Sequence, residues 1–106
     1  MQYLPKPYSN FKKKFPKIDK AYQDLALKCL EAGPLDEKSA RLIKLGIAIG
    51  LNSEGGVKSH ARRALALGVT KQELMHAVLL ALTTAGFPTM IAAMLWVEEV
   101  IKKQKA

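Results

Sequence analysis

Residues 52–89 read NSEGGVKSHARRALALGVTKQELMHAVLLALTTAGFPT, and this stretch decides the fold. Ser53 is favoured at the start of a helix, and Gly68 is favoured just after the end of one. Thr70 and Glu73 then form the pattern of a capping box, which predicts that another helix begins at once. The stretch therefore predicts two consecutive helices joined by a short turn.

The second of these helices is predicted to end near Ala85, at the break formed by Gly86. Pro88 suits the first turn of a helix and predicts a last helix that continues to the lysine-rich end of the chain. In the helix before Gly68, the apolar residues Val57, Ala61 and Ala64 are predicted to face the core. Arg62 is predicted to face solvent.

Two more helices are predicted before residue 52. The first begins at Pro16, and its apolar residues at helical spacing are Ile18, Tyr22, Leu25, Ala26, Cys29 and Leu30. The second begins at Asp36 and is apolar on most sides, which predicts burial. Its Gly46 and Gly50 would allow another helix to approach closely. Since no segment shows sustained period-two alternation, we expect an all-α, single-domain bundle of five long helices.

The formal net charge of +8 is concentrated near the N-terminus. Residues 1–20 contain six lysines and one aspartate, whereas residues 21–97 contain eight basic and six acidic residues. Residues 1–15 are therefore predicted to form a basic, aromatic N-terminal arm, and residues 16–106 the helical domain. The Lys12-Lys13-Lys14 run in the arm is predicted to be a solvated face.

Residues 74–97 contain no Asp, Glu, Lys or Arg, and these 24 residues are long enough to cross a bilayer. Gly86 and Pro88 interrupt the run near its middle, so it predicts two buried helices rather than a membrane span. Residues 1–15 lack the long apolar core and the small-residue cleavage site of a secretory signal. We therefore expect a protein without a membrane-spanning segment.

Cys29 is the only cysteine, so neither an internal disulfide nor a paired-cysteine metal or redox motif can form. A single thiol is typical of a reducing compartment, and we expect a cytoplasmic protein. Because Cys29 lies on the apolar stripe of its helix, it is predicted to be a small buried side chain rather than a reactive thiol.

Residues 64–74 have the spacing of a helix-turn-helix, which with a net charge of +8 raises the question of DNA binding. The helix that would read the bases carries Leu79, Leu80 and Leu82, which offer no polar group to a base edge. Such a helix is suited to a protein core. The sequence therefore argues against nucleic-acid binding.

Residues from about 34 to 99 resemble the carboxymuconolactone decarboxylase family, which includes the alkyl hydroperoxidase D-like proteins. The motifs that carry the resemblance are Gly33-Pro34-Leu35-Asp36, Arg41-Leu42-Ile43, His60 with Ala64 and Gly68, Thr70-x-x-Glu73-Leu74, Ala85-Gly86-Phe87-Pro88 and Ala92-Ala93. The resemblance implies an all-helical fold of the alkyl hydroperoxidase D-like type that assembles into rings, often trimers or hexamers. Family members include decarboxylases of small lactone acids and thiol-based peroxidase partners.

The sequence departs from the peroxidase branch of this family. In that branch a Cys-x-x-Cys pair precedes the family histidine, and the matching positions here are Ser53 and Gly56. An upstream carboxylate of the branch's proton relay corresponds to Arg41. Because no thiolate stands where the chemistry needs one, dithiol peroxidase activity is not expected of this chain.

The candidate site combines two predicted catalytic residues, His60 and Glu54, with three predicted substrate-binding residues, Ser53, Gly56 and Arg41. Ser53, Gly56 and His60 lie three and four residues apart, so they share a face at the open end of a helix. A helix N-terminus binds anions, an arginine pairs with carboxylates, and an imidazole transfers protons near neutral pH. The pattern is typical of acid–base chemistry on a small acid.

Each of these residues also has a purely structural interpretation. His60 would then be a hydrogen-bonded histidine at a helix–helix contact, and Arg41 a solvated or interface charge. Glu54 would balance the dipole at the start of its helix. His76 is interpreted as a core or interface histidine, and with His60 it provides too few ligands for a metal site.

Two functional hypotheses therefore remain. The first is a cofactor-free enzyme that decarboxylates a small carboxylate or lactone acid or transfers a proton on it. The second is a non-catalytic ligand-binding or assembly protein of the same fold. Under both hypotheses we expect a homo-oligomer, a trimer or hexamer by the resemblance, because the last two helices have outer faces that are too apolar for water. Neither a cofactor nor a metal is expected.

Overall fold

The computed structural model describes residues 6–105, so residues 1–5 of the predicted N-terminal arm and Ala106 lie outside the described part. Residues 6–105 contain helices and turns and no strand. None of these helices combines the length and the apolar character that crossing a membrane requires. The chain falls into two compact units, divided between Leu35 and Asp36. The domain boundary after residue 15 stays a prediction.

The first unit contains two helices, α1 (Lys6–Lys14) and α2 (Pro16–Glu31). Pro7 lies in the first turn of α1, where a proline removes no intrahelical hydrogen bond. Phe15 separates the two helices, and its ring centroid lies 5.6 Å from that of Phe11. Gln23 on α2 donates a hydrogen bond of 3.0 Å to the hydroxyl of Tyr8 on α1. This bond directs one face of α2 towards α1.

The apolar stripe of α2 is exposed, so the prediction that Cys29 is buried is wrong. Ile18, Tyr22 and Leu25 are each more than half exposed. The less exposed residues of α2 lie about a quarter turn away around the helix, and they are Asp19, Gln23, Ala26 and Leu30. Two of the six apolar residues predicted to share a face, Ala26 and Leu30, thus lie on the less exposed side, whereas the other four are exposed. Ile18, Tyr22, Leu25 and Cys29 are called the α2 stripe below.

The second unit contains α3 (Glu37–Gly50), α4 (Glu54–Ala66), α5 (Lys71–Leu79), a 3-10 helix (Leu80–Thr83) and α6 (Phe87–Lys105). Residues 6–105 thus contain six α-helices, and the prediction of five is wrong. The additional helix is α1. The helix predicted to continue to Ala85 ends at Leu79 and tightens into the 3-10 turn. Here the Thr84 hydroxyl donates a 3.0 Å hydrogen bond to the Leu80 carbonyl and so competes with the regular helical pattern.

The core of the second unit lies where α3, α4, α5 and α6 meet. Its largest fully buried side chains are Leu45, Ile49, Val57, Leu74, Val78 and Val97. Ala61 and Ala64 of α4 are also fully buried, as predicted. Arg62 is only 4% exposed, although its position off the apolar stripe predicts a solvated side chain. Because α4 contacts both α3 and α6, its buried sector is wider than one stripe.

The turn between α3 and α4 positions the candidate site. Asn52 has a φ of 54°, a left-handed conformation that asparagine adopts more readily than most residues. The Ser53 amide donates a 3.0 Å hydrogen bond to the Ala48 carbonyl, and the Ser53 hydroxyl accepts one of 3.1 Å from the Gly56 amide. A Cβ on Gly56 would lie 2.9 Å from the Ser53 hydroxyl oxygen and 3.2 Å from the Ala48 methyl. Glycine at this position therefore lets α4 begin directly against α3.

The predicted start of α5 and the predicted break before α6 are both present. The Thr70 amide donates to the Glu73 carboxylate at 2.8 Å, and the Glu73 amide donates to the Thr70 hydroxyl at 3.0 Å. Gly86 has a φ of 103°, and α6 begins at the next residue. Glycine is needed here because side chains rarely adopt this backbone conformation.

Gly86→Ala should lower the free energy of unfolding by about 1–2 kcal/mol, because the left-handed region is strained for a residue with a Cβ. A steric clash is not the cause, since no described atom lies within 4 Å of a Cβ built on Gly86. Gly55→Ala is the matched control, because Gly55 also has nothing within 4 Å but lies in α4 at a helical φ. Urea unfolding compares the two variants. A Gly86→Ala variant as stable as Gly55→Ala would contradict the conformational explanation.

Candidate functional site

A hydrogen bond joins α3 to α4 at the candidate site. Nη1 of Arg41 lies 2.9 Å from Nδ1 of His60. A guanidinium can only donate, so Nδ1 of His60 must be the acceptor. The neutral ring therefore carries its proton on Nε2. The two residues are nineteen apart in the sequence, and only the packing of α3 on α4 brings them together.

The surroundings of His60 keep its ring neutral. Burial has the largest effect, and the cations Arg41, Arg63 and Lys44 add to it; together they lower the pKa of His60 from 6.5 to about 4. Burial and then Arg63 also lower the pKa of Arg41, but a guanidinium remains charged at neutral pH. At neutral pH the pair is therefore an uncharged imidazole held by a cation.

His60 lines a pocket of about 230 Å³, called the His60 pocket below. Lys44 and Ser53 line the same pocket, and Ile47 and Leu51 contribute apolar wall. None of the described residues that line it is acidic. A concave surface with cations and without carboxylates attracts anions. The volume is below the range typical of drug-sized ligands, so the pocket suits a small anion.

The structure brings four of the five predicted site residues together. Ser53, Gly56 and His60 line the His60 pocket, and Arg41 is hydrogen-bonded to His60. Sequence reasoning missed Lys44, which lines the same pocket. The signal was present, because Lys44 lies three residues after Arg41 and therefore on the same side of α3.

Glu54, the fifth predicted site residue, does not line the His60 pocket. Its carboxylate lies 2.9 Å from Nζ of Lys58, which also pairs with Glu99 of α6 at 2.8 Å. The hydrogen bonds from Glu99 and Glu54 raise the pKa of Lys58. In this arrangement Glu54 helps to link α4 to α6.

Arg41 also has a polar atom that lacks a partner. Its Nε is buried and has no hydrogen-bond partner among the described residues. Burying such a donor costs about 1–3 kcal/mol. An acceptor oxygen supplied by a ligand would remove this cost.

Within the described residues, no three His, Cys, Asp or Glu side chains form a group that could hold a metal ion.

A larger cavity of about 660 Å³, called the α3–α5 groove below, does not contain His60. Residues 42–50 of α3 form one wall, and residues 73–85 contribute the other. No described atom lies within 4 Å of a Cβ built on Gly46 or Gly50, so the space directly above these two glycines is open. The lining is mostly apolar and includes the exposed His76. The groove is larger, but the His60 pocket holds the hydrogen-bonded histidine and its cations and is the better candidate for chemistry.

Comparison with known proteins identifies one family. The sequence model of the carboxymuconolactone decarboxylase family matches residues 16–99. An uncharacterized protein of Methanocaldococcus jannaschii is 29% identical over 93 residues, which cover 88% of this chain and 87% of that protein. An uncharacterized protein of Haemophilus influenzae is 32% identical over 62 residues, which cover 58% of this chain and 55% of that protein.

A solved structure has a similar fold. It is the crystal structure of the apo form of a carboxymuconolactone decarboxylase family protein from Legionella pneumophila, with a TM-score of 0.75. The two chains are 24% identical, and the match covers 91% of this chain and 86% of that one. At this level of identity the likeness concerns the fold alone.

The His60 ring should titrate with a midpoint at about pH 4, because burial and the neighbouring cations oppose its protonation. Arg41→Met removes the nearest cation and should move the midpoint up towards the ordinary value of about 6.5. NMR of the ring signals as a function of pH measures both midpoints.

Lys102→Met is the matched control, because it removes an exposed cation of α6 that is not among the groups lowering the pKa of His60, so the His60 midpoint should stay unchanged. A wild-type midpoint near 6.5, or the same midpoint with and without Arg41, would contradict the described electrostatics.

Proposed function

Since the chain belongs to the carboxymuconolactone decarboxylase family, we propose that it performs cofactor-free acid–base chemistry on a small carboxylate or lactone acid. The reaction is a decarboxylation or a proton transfer, and the His60 pocket is the site. The observation that carries the proposal is the hydrogen bond between Arg41 and His60 beside a pocket that no described acidic residue lines.

The charges around the pocket support an acidic substrate. Arg41, Arg63 and Lys44 all act on the His60 ring as positive charges, and Lys44 lines the pocket itself. A carboxylate placed among them gains attraction from each cation. Arg41 itself does not line the pocket, so the carboxylate reaches this guanidinium only after the Arg41 side chain moves towards the pocket.

Substrate binding would convert His60 into a base. A carboxylate pairs strongly with a guanidinium, so it competes with Nδ1 of His60 for Arg41. Its negative charge offsets the cations, so the pKa of His60 rises from about 4. Nδ1 is then free to accept a proton. In the absence of substrate the ring stays neutral and its acceptor nitrogen stays occupied.

The freed imidazole supports either reaction. In a proton transfer, Nδ1 removes a proton from a carbon next to the substrate's carbonyl, and the C–H electron pair moves to the carbonyl oxygen. The ring then returns the proton at another carbon. In a decarboxylation, the raised pKa lets the ring first take up a proton from water. The electron pair of the bond to the leaving carboxylate moves to the carbonyl oxygen as carbon dioxide departs, and the ring then donates its proton to the carbon.

Glu54 remains a predicted catalytic residue, but we assign the proton transfer to His60. The Glu54 carboxylate pairs with Lys58 at 2.9 Å and does not line the pocket. We propose that its contribution is to hold the start of α4, where Ser53 and Gly56 line the pocket. Ser53 and Gly56 bind the substrate in this proposal.

The alternative function is a non-catalytic ligand-binding or assembly protein of the same fold. One observation favours it: both candidate catalytic groups are already engaged, His60 by Arg41 and Glu54 by Lys58. A peroxidase of the thiol type is the least favoured function, because Cys29 is the only cysteine and lies in the first unit.

We also propose that the protein is a homo-oligomer, a trimer or hexamer, in the cytoplasm. The exposed apolar side chains of the last helices support self-association, and among them are Leu79, Leu80, Phe87, Ile91 and Leu95. The single cysteine supports a reducing compartment.

Succinate and a five-membered lactone acid should perturb the His60 ring signals and raise the titration midpoint of His60. Binding of either acid should weaken as the His60 ring deprotonates. The reason is that an anion which raises the pKa of the ring is itself bound more tightly by the protonated ring. His60→Ala should remove binding, and Lys44→Met should weaken it by about tenfold, or ~1.4 kcal/mol. NMR titration measures each affinity.

Lys102→Met again serves as the control with an unchanged pocket, and circular dichroism checks that each variant is helical. Release of carbon dioxide from the lactone acid by the wild type, lost in His60→Gln, would support the enzyme. Binding without turnover would support the alternative function. If no acid perturbs the His60 signals and His60→Ala fails to fold, the site proposal is wrong.

A further inference from the structure

The α2 stripe has the character of an interaction surface. Tyr22 is 65% exposed, and Ile18 and Leu25 are each 58% exposed. These residues are four and three apart, so they form a continuous ridge about 10 Å long. Gln23, on another face of α2, makes the contact with α1. A ridge of large apolar side chains in water is typical of a surface that binds another protein.

The α3–α5 groove has the complementary shape. Gly46 and Gly50 lie one turn apart in its wall, with open space above both. Ile43 and Ile47 of the same helix also line the groove and are 49% and 58% exposed. Residues 42–50 extend over about 12 Å, close to the length of the ridge. A row of small residues at i, i+4 spacing accepts the ridge of another helix.

We propose that the α2 stripe of one copy of this chain packs into the α3–α5 groove of a second copy. This identifies the interface of the self-association proposed above and rests on that proposal. Each copy offers one ridge and one groove, so the contact is head-to-tail. Repetition of a head-to-tail contact closes into a ring when the rotation between copies allows it.

The charges at the edges of the two surfaces favour a second copy as the occupant. Lys17 and Lys28 lie on one flank of the α2 stripe, three turns or about 16 Å apart, with Asp24 between them on the same flank. Glu73 is exposed and lines the groove. One of these lysines can therefore pair with the Glu73 carboxylate of the next copy while the apolar ridge is buried.

The same contact would complete the His60 pocket. Ile47 lines both the α3–α5 groove and the His60 pocket. A helix in the groove covers the exposed side of Ile47 and adds protein next to the pocket. The neighbouring copy thereby limits the access of water and substrate to the site from that side.

Two single substitutions test the interface from its two sides. Tyr22→Glu puts a charge on the ridge, and Gly46→Leu places a large side chain in the groove, where a Cβ at position 46 meets no described atom within 4 Å. Each variant should change the oligomer of the wild type into a monomer at micromolar concentration, measured by light scattering. The matched controls are Lys20→Glu, on the opposite side of α2, and Gly55→Leu, outside the groove, and both should associate like the wild type. Circular dichroism confirms that each variant is folded.

Mixing the two variants provides the sharper test. Gly46→Leu keeps an intact ridge, and Tyr22→Glu keeps an intact groove. A mixture should therefore form a one-to-one dimer that cannot grow, whereas each variant alone stays monomeric.

The possible failures are distinguishable. A monomeric wild type would overturn both the proposed self-association and this interface. Oligomers that survive both single substitutions would overturn the interface alone and place the contact elsewhere, for example on α6. A mixture that remains monomeric would overturn the head-to-tail pairing. Docking of the α2 stripe into the α3–α5 groove of the same chain would also overturn it.

Discussion

The close contact between Gly56 and Ala48 is the constraint on which the candidate site depends. A Cβ at position 56 would lie 3.2 Å from the Ala48 methyl, so glycine lets α4 begin against α3. Arg41 lies two turns before Ala48, and His60 lies one turn after Gly56, each on the same face as its contact residue. This contact therefore brings Nη1 of Arg41 to 2.9 Å from Nδ1 of His60.

Arginine at position 41 determines what the histidine can do. A carboxylate beside an imidazole stabilises the protonated ring, whereas Arg41 opposes protonation and occupies Nδ1. Burial, Arg63 and Lys44 act in the same direction, so His60 is neutral over the physiological pH range. In this proposal an anionic substrate offsets these cations and so activates the ring. Substrate binding and proton transfer are then coupled through the guanidinium of Arg41.

Local signals in the sequence predicted the parts of the site, and packing determined how they meet. The Ser53 cap, the capping box at Thr70 and the break at Gly86 were predictable because each depends on a side chain and a backbone a few residues away. The helix count was wrong because residues 1–15 were predicted to form an arm without a helix, whereas Pro7 lies in the first turn of α1, where a proline is tolerated. The exposure of Cys29 could not be predicted, since periodicity reveals an apolar face but not its neighbour. The bond to Arg41 depends on tertiary packing, and only the family resemblance pointed to that residue.

The tautomer of His60 at neutral pH tests the central claim most directly. Long-range nitrogen-15 NMR distinguishes the two ring nitrogens of each histidine. The predicted result is a neutral ring with the proton on Nε2 and with Nδ1 as a hydrogen-bond acceptor, as the bond from Arg41 requires. A ring protonated on Nδ1 at neutral pH, whether as the other tautomer or as the imidazolium, would contradict it.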